Sequence, residues 1–525
     1  MRIVKASYHY ISELKHTIPD GLEYLGIGPS ILFLSCVCLI YIVMKAIARF
    51  YFHPLSGIPG PPLAAVSRWY DFYYNVIHDG TYSNQWLQLH KKYNSPVIRI
   101  GVNHVHVADE SLFPEIYCSG TQYNKDPSFY KRLGLDGAIL TITDPEQHRA
   151  YRNIINSLFS TRTTNDLGPI MALELQNVAE YMSKRRKENK PVIIQRVFRS
   201  VSADMVCELM FGKSLNLVET PDAYHDLMQS VDRFSAITWL KMHFPIINSV
   251  VAAFPGFVID LILPGWLNYR KKLGSWYAES SDRCSLGKTS GNRPTFYDLI
   301  VNAQSEGDES RFNRDLVVDD SLNYIIAGMD TTSHTLAYAT YYILTLKHVK
   351  AKLCAELDEA APFIRTTMDL RKIQQLPYLT AVIKEALRLS VAAPGGLPRL
   401  VPTQGMKIGK TFVPGGTTVS LSHRVVQMSE SIFPNPDDFN PERWLGRDGL
   451  ALEKWNIAFS KGPRQCIGMN LAYLEMYASI AYLFSRFEMT LFETDKSSIE
   501  SLDRFAARTR SQVKVKILGD RWEKN

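Results

Sequence analysis

Charge runs, internal repeats and paired cysteines are all scarce in this chain. Its 59 basic and 52 acidic residues are dispersed over 525 positions. The net charge of +7 therefore describes a mildly basic surface and not a nucleic-acid-binding tail, and no nucleic acid partner is expected. Seven cysteines occur without one Cys-x-x-Cys pair, which excludes a disulfide framework and a zinc ribbon. Cys36, Cys38, Cys118, Cys207, Cys284 and Cys354 read as small hydrophobes; Cys466 stands apart because of its neighbours. No repeat period and no nicotinamide or flavin fingerprint is visible. With 46% hydrophobic and 21% charged residues, the chain reads as one large folded unit and not as a disordered or polytopic membrane protein.

Only one long hydrophobic run is present. Tyr24 to Met44 contains no charged residue, which meets the roughly 20-residue length of a spanning helix. Ala46-Ile47-Ala48 resembles a signal cleavage site, but the mixed-charge segment 1–23 is too long for an ordinary n-region, so an uncleaved anchor over 24–44 is expected. Arg2, Lys5 and Lys15 before it balance Lys45, Arg49 and Arg68 after it, so basic residues do not set its orientation. The absence of any Asn-x-Ser/Thr sequon is compatible with a body that stays out of the glycosylating lumen. Residues 45–62, ending in HPLSGIPGPP, read as a stiff Pro-rich linker to a domain over 63–525.

The body is predicted to be mostly α with small β-sheets. Helical periodicity runs over Asp144–Ser160, Asp166–Lys187, Val192–Phe211, Arg314–Leu346, Pro377–Leu389 and Ile467–Phe484. Hairpin signals occur at Pro96–Asp109 and at Met406–Leu421, the latter with Pro414-Gly415-Gly416 as its turn. Met242–Ile259 lacks Asp, Glu, Lys and Arg but is broken by Pro245 and Pro255, which fits a surface segment dipping into a bilayer.

The chemistry concentrates near the C-terminus. In FSKGPRQCIG, Phe459 to Gly468, a cysteine follows a glycine-containing loop and precedes a helix. The helix dipole and backbone N–H groups there would favour a thiolate, so Cys466 is expected to stay deprotonated and serve as an anionic iron ligand. Gly462 and Gly468 would let the backbone approach a flat cofactor, and Arg464 would meet one of its carboxylates. This segment matches the haem-binding signature Phe-x-x-Gly-x-Arg-x-Cys-x-Gly at all five fixed positions. The chain therefore resembles the cytochrome P-450 superfamily, with a chance match of roughly one in ten thousand.

Further motifs then follow the family's order. Glu385 and Arg388 match Glu-x-x-Arg, and Arg443 in FNPERW matches the family's second arginine. The resemblance implies that these three form a buried structural ion cluster. Ala327-Gly328-Met329-Asp330-Thr331-Thr332 resembles the oxygen-activation motif. It implies Asp330 and Thr331 as proton donors and Ala327 and Gly328 as space above the iron, while Thr331 is expected to bond back to the helix near Ala327. His148 and Arg152 stand where the family usually has Trp-x-x-x-Arg; with Arg399 and Arg464 they are candidates for the haem propionates, and Phe459, Gly462 and Gly468 complete the cofactor set. Substrate contacts are expected at the Leu133–Ile139 loop, Tyr324, Ala327, Ala392–Leu397 and Phe505.

The resemblance implies haem b (iron protoporphyrin IX), dioxygen as co-substrate, and NADPH electrons from a membrane-bound diflavin reductase that meets basic residues such as Lys461. It also implies an endoplasmic reticulum membrane location with a cytosolic body, and oxidation of a lipophilic small molecule. Within the family the chain is similar to fungal microsomal enzymes of secondary metabolism, trichodiene-oxygenase-like ones among them. Two other functions are compatible with a haem-thiolate site: an isomerase or dehydratase that consumes no dioxygen, and a non-enzymatic haem-binding sensor.

Overall fold

The apolar run folds as one helix, α1 (Ile27–Tyr51), in the computed structural model, which describes residues 27–135, 137–219, 225–288, 293–305 and 312–523. The segment 1–23, the first residues of the expected anchor and Asp136 of the Leu133–Ile139 loop lie outside the described residues. The helix continues past Met44 to Tyr51 because Lys45, Ala46, Ile47, Ala48 and Arg49 contain no breaker. The linker thus starts at Phe52 and not at Lys45. Ser30–Tyr51 has a mean hydropathy of 2.5 and no buried part, so it is long and apolar enough to cross a membrane.

The linker is tied down and not merely stiff. Buried Arg99 donates to Arg49 O at 3.1 Å in the last turn of α1 and to Val102 O at 2.7 Å, while Arg49 donates to Val66 O at 2.7 Å. Gly60 passes so close to Arg99 that a Cβ there would lie 2.2 Å from its carbonyl oxygen.

The strands are short and peripheral. They are β1 (Val97–Gly101), β2 (His104–Val107), β3 (Val192–Ile193), β4 (Arg399–Leu400), β5 (Met406–Ile408), β6 (Thr411–Val413), β7 (Thr418–Ser420), β8 (Phe487–Leu491), β9 (Ser501–Arg504), β10 (Ala506–Thr509) and β11 (Lys514–Asp520). The largest sheet has the order β1-β2-β7-β4, another has β3-β11-β8, and β5-β6 and β9-β10 are hairpins. Two expectations change. Val192 and Ile193 leave the predicted helix to pair with Val515 and Lys514, since a long-range strand partner outcompetes one more helical turn. Pro414-Gly415-Gly416 does not close the second hairpin; it carries the chain from β6 to β7, which runs parallel to β2.

The core belongs to helices. These are α2 (Pro145–Ile155), α3 (Gly168–Lys187), α4 (Ile194–Phe211), α5 (Arg314–Thr345), α6 (Pro377–Ser390) and α7 (Met469–Arg486). At 32 residues, α5 is about 48 Å long and crosses the whole body. It is packed by α4, α6 and α7, and all four are lined by the same apolar core. Asp144 caps α2 by accepting from Gln147 N at 2.7 Å, with Pro145 in the first turn.

Candidate active site

The Cys466 loop is a backbone device. Cys466 N–H donates to Phe459 O at 3.0 Å, closing a turn in which Ser460 (φ 57°) and Gly462 (φ 74°) are left-handed. Gly462 is required by the protein itself, because a Cβ would lie 2.5 Å from Tyr117 O. Gly468 differs: a Cβ there would meet nothing within 4 Å. Phe459 stacks its ring 5.1 Å from that of Tyr473. Cys466 sits deep under protein yet its side chain is accessible, as for a residue on an internal cleft. Burial pushes its thiol above the ordinary value, against the backbone N–H of Gly468 and the charge of Arg152. The helix start therefore does not by itself hold a thiolate; a bound cation at sulfur is needed.

On α5, Ala327 is exposed at mid-helix although Ile325, Met329 and Asp330 are buried, the second sign of an internal cleft. Thr331 Oγ1 donates to Ala327 O at 2.8 Å. Gly328 has a different reason from the one expected: a Cβ would stand 2.4 Å from Val206 Cγ2 on α4. Gly328→Ala should lower stability by about 1–3 kcal/mol through overpacking, and Val206→Ala should restore most of it in thermal unfolding of the pair. Asp330 is buried and doubly clamped. Arg508 reaches it at 2.8 and 2.6 Å, and Arg199 Nε lies 3.0 Å away. The cluster lines a cavity of about 310 Å³ shared with Asp232 and His334.

Four cations and a histidine converge without a counter-charge. Arg152 donates to Gln465 O at 2.6 Å, Arg464 to Ile142 O at 2.6 Å, and Arg399 to Tyr123 O at 3.3 Å. Lys125 donates to Leu140 O at 2.5 Å. Among the described residues none of the four forms an ion pair. Burial and then the neighbouring Arg464 and Lys125 push His148 down to about 3; burial and then Arg399 bring Arg464 to about 10. Such a nest is costly unless anions enter it. The two propionates of haem fit that requirement, the open side of Gly468 leaves room for a flat ring, and Cys466 offers sulfur. Lys125 was missed from sequence, because a lysine before Asp126-Pro127 reads as an ordinary helix start; only the bridge between Lys125 and Arg399 brings it in.

Glu385, Arg388 and Arg443 do meet. Glu385 is fully buried and accepts from Arg388 at 2.9 and 2.7 Å, Arg443 at 3.0 Å, Trp444 Nε1 at 2.8 Å and Asn440 N at 3.0 Å. Arg388 spends its remaining donors on the carbonyls of Gln427, Pro436 and Asp438.

Of the expected substrate contacts, Tyr324, Ala327 and the Leu133–Ile139 loop do not line the cavity that Leu397 and Phe505 share. Tyr324 packs in the core 5.5 Å from the Phe296 ring, and its hydroxyl lies beside Tyr151 and Asp320. Leu397 (φ 43°) and Phe505 (φ 77°) hold strained left-handed backbone and line one cavity of about 230 Å³. That cavity is not simply apolar, since Asp71, Asp126, Asp503, Arg68 and Arg132 share its wall. Lys461 donates to Lys454 O at 2.6 Å at the surface of the cysteine loop.

Known proteins place this geometry. The family model Cytochrome P-450 matches residues 59–517. The cytochrome P-450 monooxygenase ankB of Aspergillus thermomutatus is 52% identical over 487 residues, covering 92% of this chain and 93% of that one. The monooxygenase phqM of Penicillium fellutanum is 44% identical, covering 90% and 89%. The monooxygenase cloA of Claviceps purpurea is 39% identical, covering 94% and 96%. With the family model spanning the helical body, the cationic nest and the cysteine loop alike, the chain belongs to the cytochrome P-450 family.

Proposed function

We propose that this protein is a haem-thiolate monooxygenase that tailors a lipophilic small molecule in fungal secondary metabolism. The observation that carries this is the accessible Cys466 beside an uncompensated nest of Lys125, Arg152, Arg399 and Arg464, in a chain 52% identical to a monooxygenase. Cys466 would hold haem b through its sulfur, and the group would supply dioxygen activation when bound. The chain's own residues position, deliver protons and exclude water. Lys125 and the three arginines bind and orient the propionates. Thr331, anchored on Ala327 O, holds a hydroxyl proton beside the accessible part of α5. Asp330, next to Thr331 in the chain, lines the side cavity, where Arg508 and Arg199 clamp its carboxylate. Electrons come from a separate NADPH-dependent diflavin reductase that docks near Lys461.

The reading includes a membrane. α1 is the anchor, and the apolar rim beside it is the footprint: Trp69, Ile77, Ile246, Phe257 and Leu261 are exposed. Two links hold rim to anchor, Arg49 to Val66 O and Arg68 to Met242 O at 3.2 Å. Met242 itself is buried, so the segment leaves the body and then breaks at Pro245 and Pro255 into short helices that lie on the surface. We place the body on the cytosolic face of the endoplasmic reticulum.

The test is a metabolite comparison of producing cells with and without the gene under labelled dioxygen. A lost product that exceeds its accumulated precursor by labelled oxygen supports monooxygenation. An isomeric pair, or one differing by water, supports an isomerase or dehydratase instead. In the purified system with reductase, Asp330→Asn should lower turnover by about 10²-fold with little change in substrate affinity, measured as kcat against KM. Equal losses in both would make Asp330 a structural residue.

A further inference from the structure

We propose that Asp503 is the recognition point for a basic amine on the substrate, held in the 230 Å³ cavity beside Leu397 and Phe505. This rests on the monooxygenase reading and names its substrate class: a cationic amine on an apolar or aromatic frame.

Three carboxylates line the cavity, and two are spoken for. Asp126 accepts from Ser128 N at 2.8 Å and from Thr418 Oγ1 at 2.7 Å. Asp71 accepts from the Asn75 amide and lies 3.3 Å from His243 Nε2. Asp503 is only 3% exposed; it accepts from Phe505 N at 3.0 Å. Among the described residues no lysine, arginine or histidine lies within ion-pair distance of it. Burial holds it up at about 6, with Arg424 a weaker opposing influence. The cavity's own cations do not serve it: Arg68 is influenced by Arg132 and Asp71 and donates to Met242 O.

A buried carboxylate without an ion-pair partner is costly, and a ligand ammonium offsets that cost. The remaining wall suits a cation as well. Trp86, Trp239, Phe129 and Phe505 present aromatic rings, which attract ammonium groups once water is excluded. The cavity receives one end of a molecule, not the whole of it. Its wall residues Asp126 and Pro398 are chain neighbours of Lys125 and Arg399, so the cavity adjoins the cationic nest.

Asp503 also props the turn at Phe505, and asparagine can do the same through its side-chain oxygen. Asp503→Asn therefore removes charge and keeps the turn. The probes are trimethyl(naphthylethyl)ammonium, whose nitrogen has no lone pair for iron, and its uncharged isostere with carbon in place of nitrogen. Equilibrium dialysis against haem-loaded protein, without reductase or NADPH, should show the cation bound at least about 10-fold tighter than the isostere. Asp503→Asn should erase that ratio while leaving the isostere within about twofold. No preference in the wild-type protein overturns the proposal, whatever the variant does. So does a preference that survives in Asp503→Asn. Because dialysis involves no turnover, either result stands apart from the labelled-dioxygen test of monooxygenation.

Discussion

Cys466→Ser is expected to abolish monooxygenation, with product formation falling by at least about 10³-fold while haem binding persists. The two effects separate because different residues control them. Serine matches cysteine in size, so the turn closed by Cys466 N–H on Phe459 O survives. Lys125, Arg152, Arg399 and Arg464 still offer four cations to the propionates. What disappears is a sulfur that a bound metal can deprotonate; a serine hydroxyl is far less acidic and pushes less charge toward iron. The measurement is haem content per chain together with the absorption spectrum of the reduced, carbon monoxide-bound protein. Retained haem with loss of the thiolate signature is the predicted outcome. A retained thiolate signature would mean that another cysteine ligates the iron, against the placement of the other six.

The second large effect concerns stability. Glu385→Ala should cost about 3–5 kcal/mol, because it strips their shared carboxylate from two buried arginines and leaves the donors of Trp444 and Asn440 unpaired. Arg388 and Arg443 would then oppose each other in the core beside the cysteine loop. Thermal unfolding of the haem-loaded chain should move down by roughly 10 °C or more, with a lower yield of haem-containing protein. Glu385→Gln should fall between, since the amide oxygen still accepts but the charge is gone. A midpoint unchanged in Glu385→Ala would show that the cluster is solvated in solution and adds nothing to the fold. A loss of turnover without any loss of stability would move Glu385 from a structural to a catalytic role.

Much of the site was legible because its residues signal locally. Cys466 is set by the spacing of Phe459, Gly462, Arg464 and Gly468, and the Glu385–Arg388 pair by one helical turn. The Thr331 bond to Ala327 follows from hydroxyl geometry on a helix. Other residues have a second reason that the sequence does not show. At Gly328 and Gly462 a side chain would strike Val206 and the Tyr117 backbone, whatever room a cofactor needs. Those partners lie far away in sequence, and a glycine does not announce what it is close to.

Composition and local pattern alone pointed to a helical chain with small sheets, to one span-length apolar helix near the N-terminus, and to Cys466 as the candidate for the chemistry. Each of these depends on period, length or spacing within a few dozen residues. Tertiary structure decided the rest. It clamped Asp330 between Arg199 and Arg508, sent Tyr324 into the core, brought Lys125 to Arg399, and left Asp503 buried without an ion-pair partner among the described residues. In each case the deciding quantity is the charge or bulk contributed by a segment distant in the chain, and electrostatic cost in a desolvated interior depends on that company and not on the residue's own neighbours.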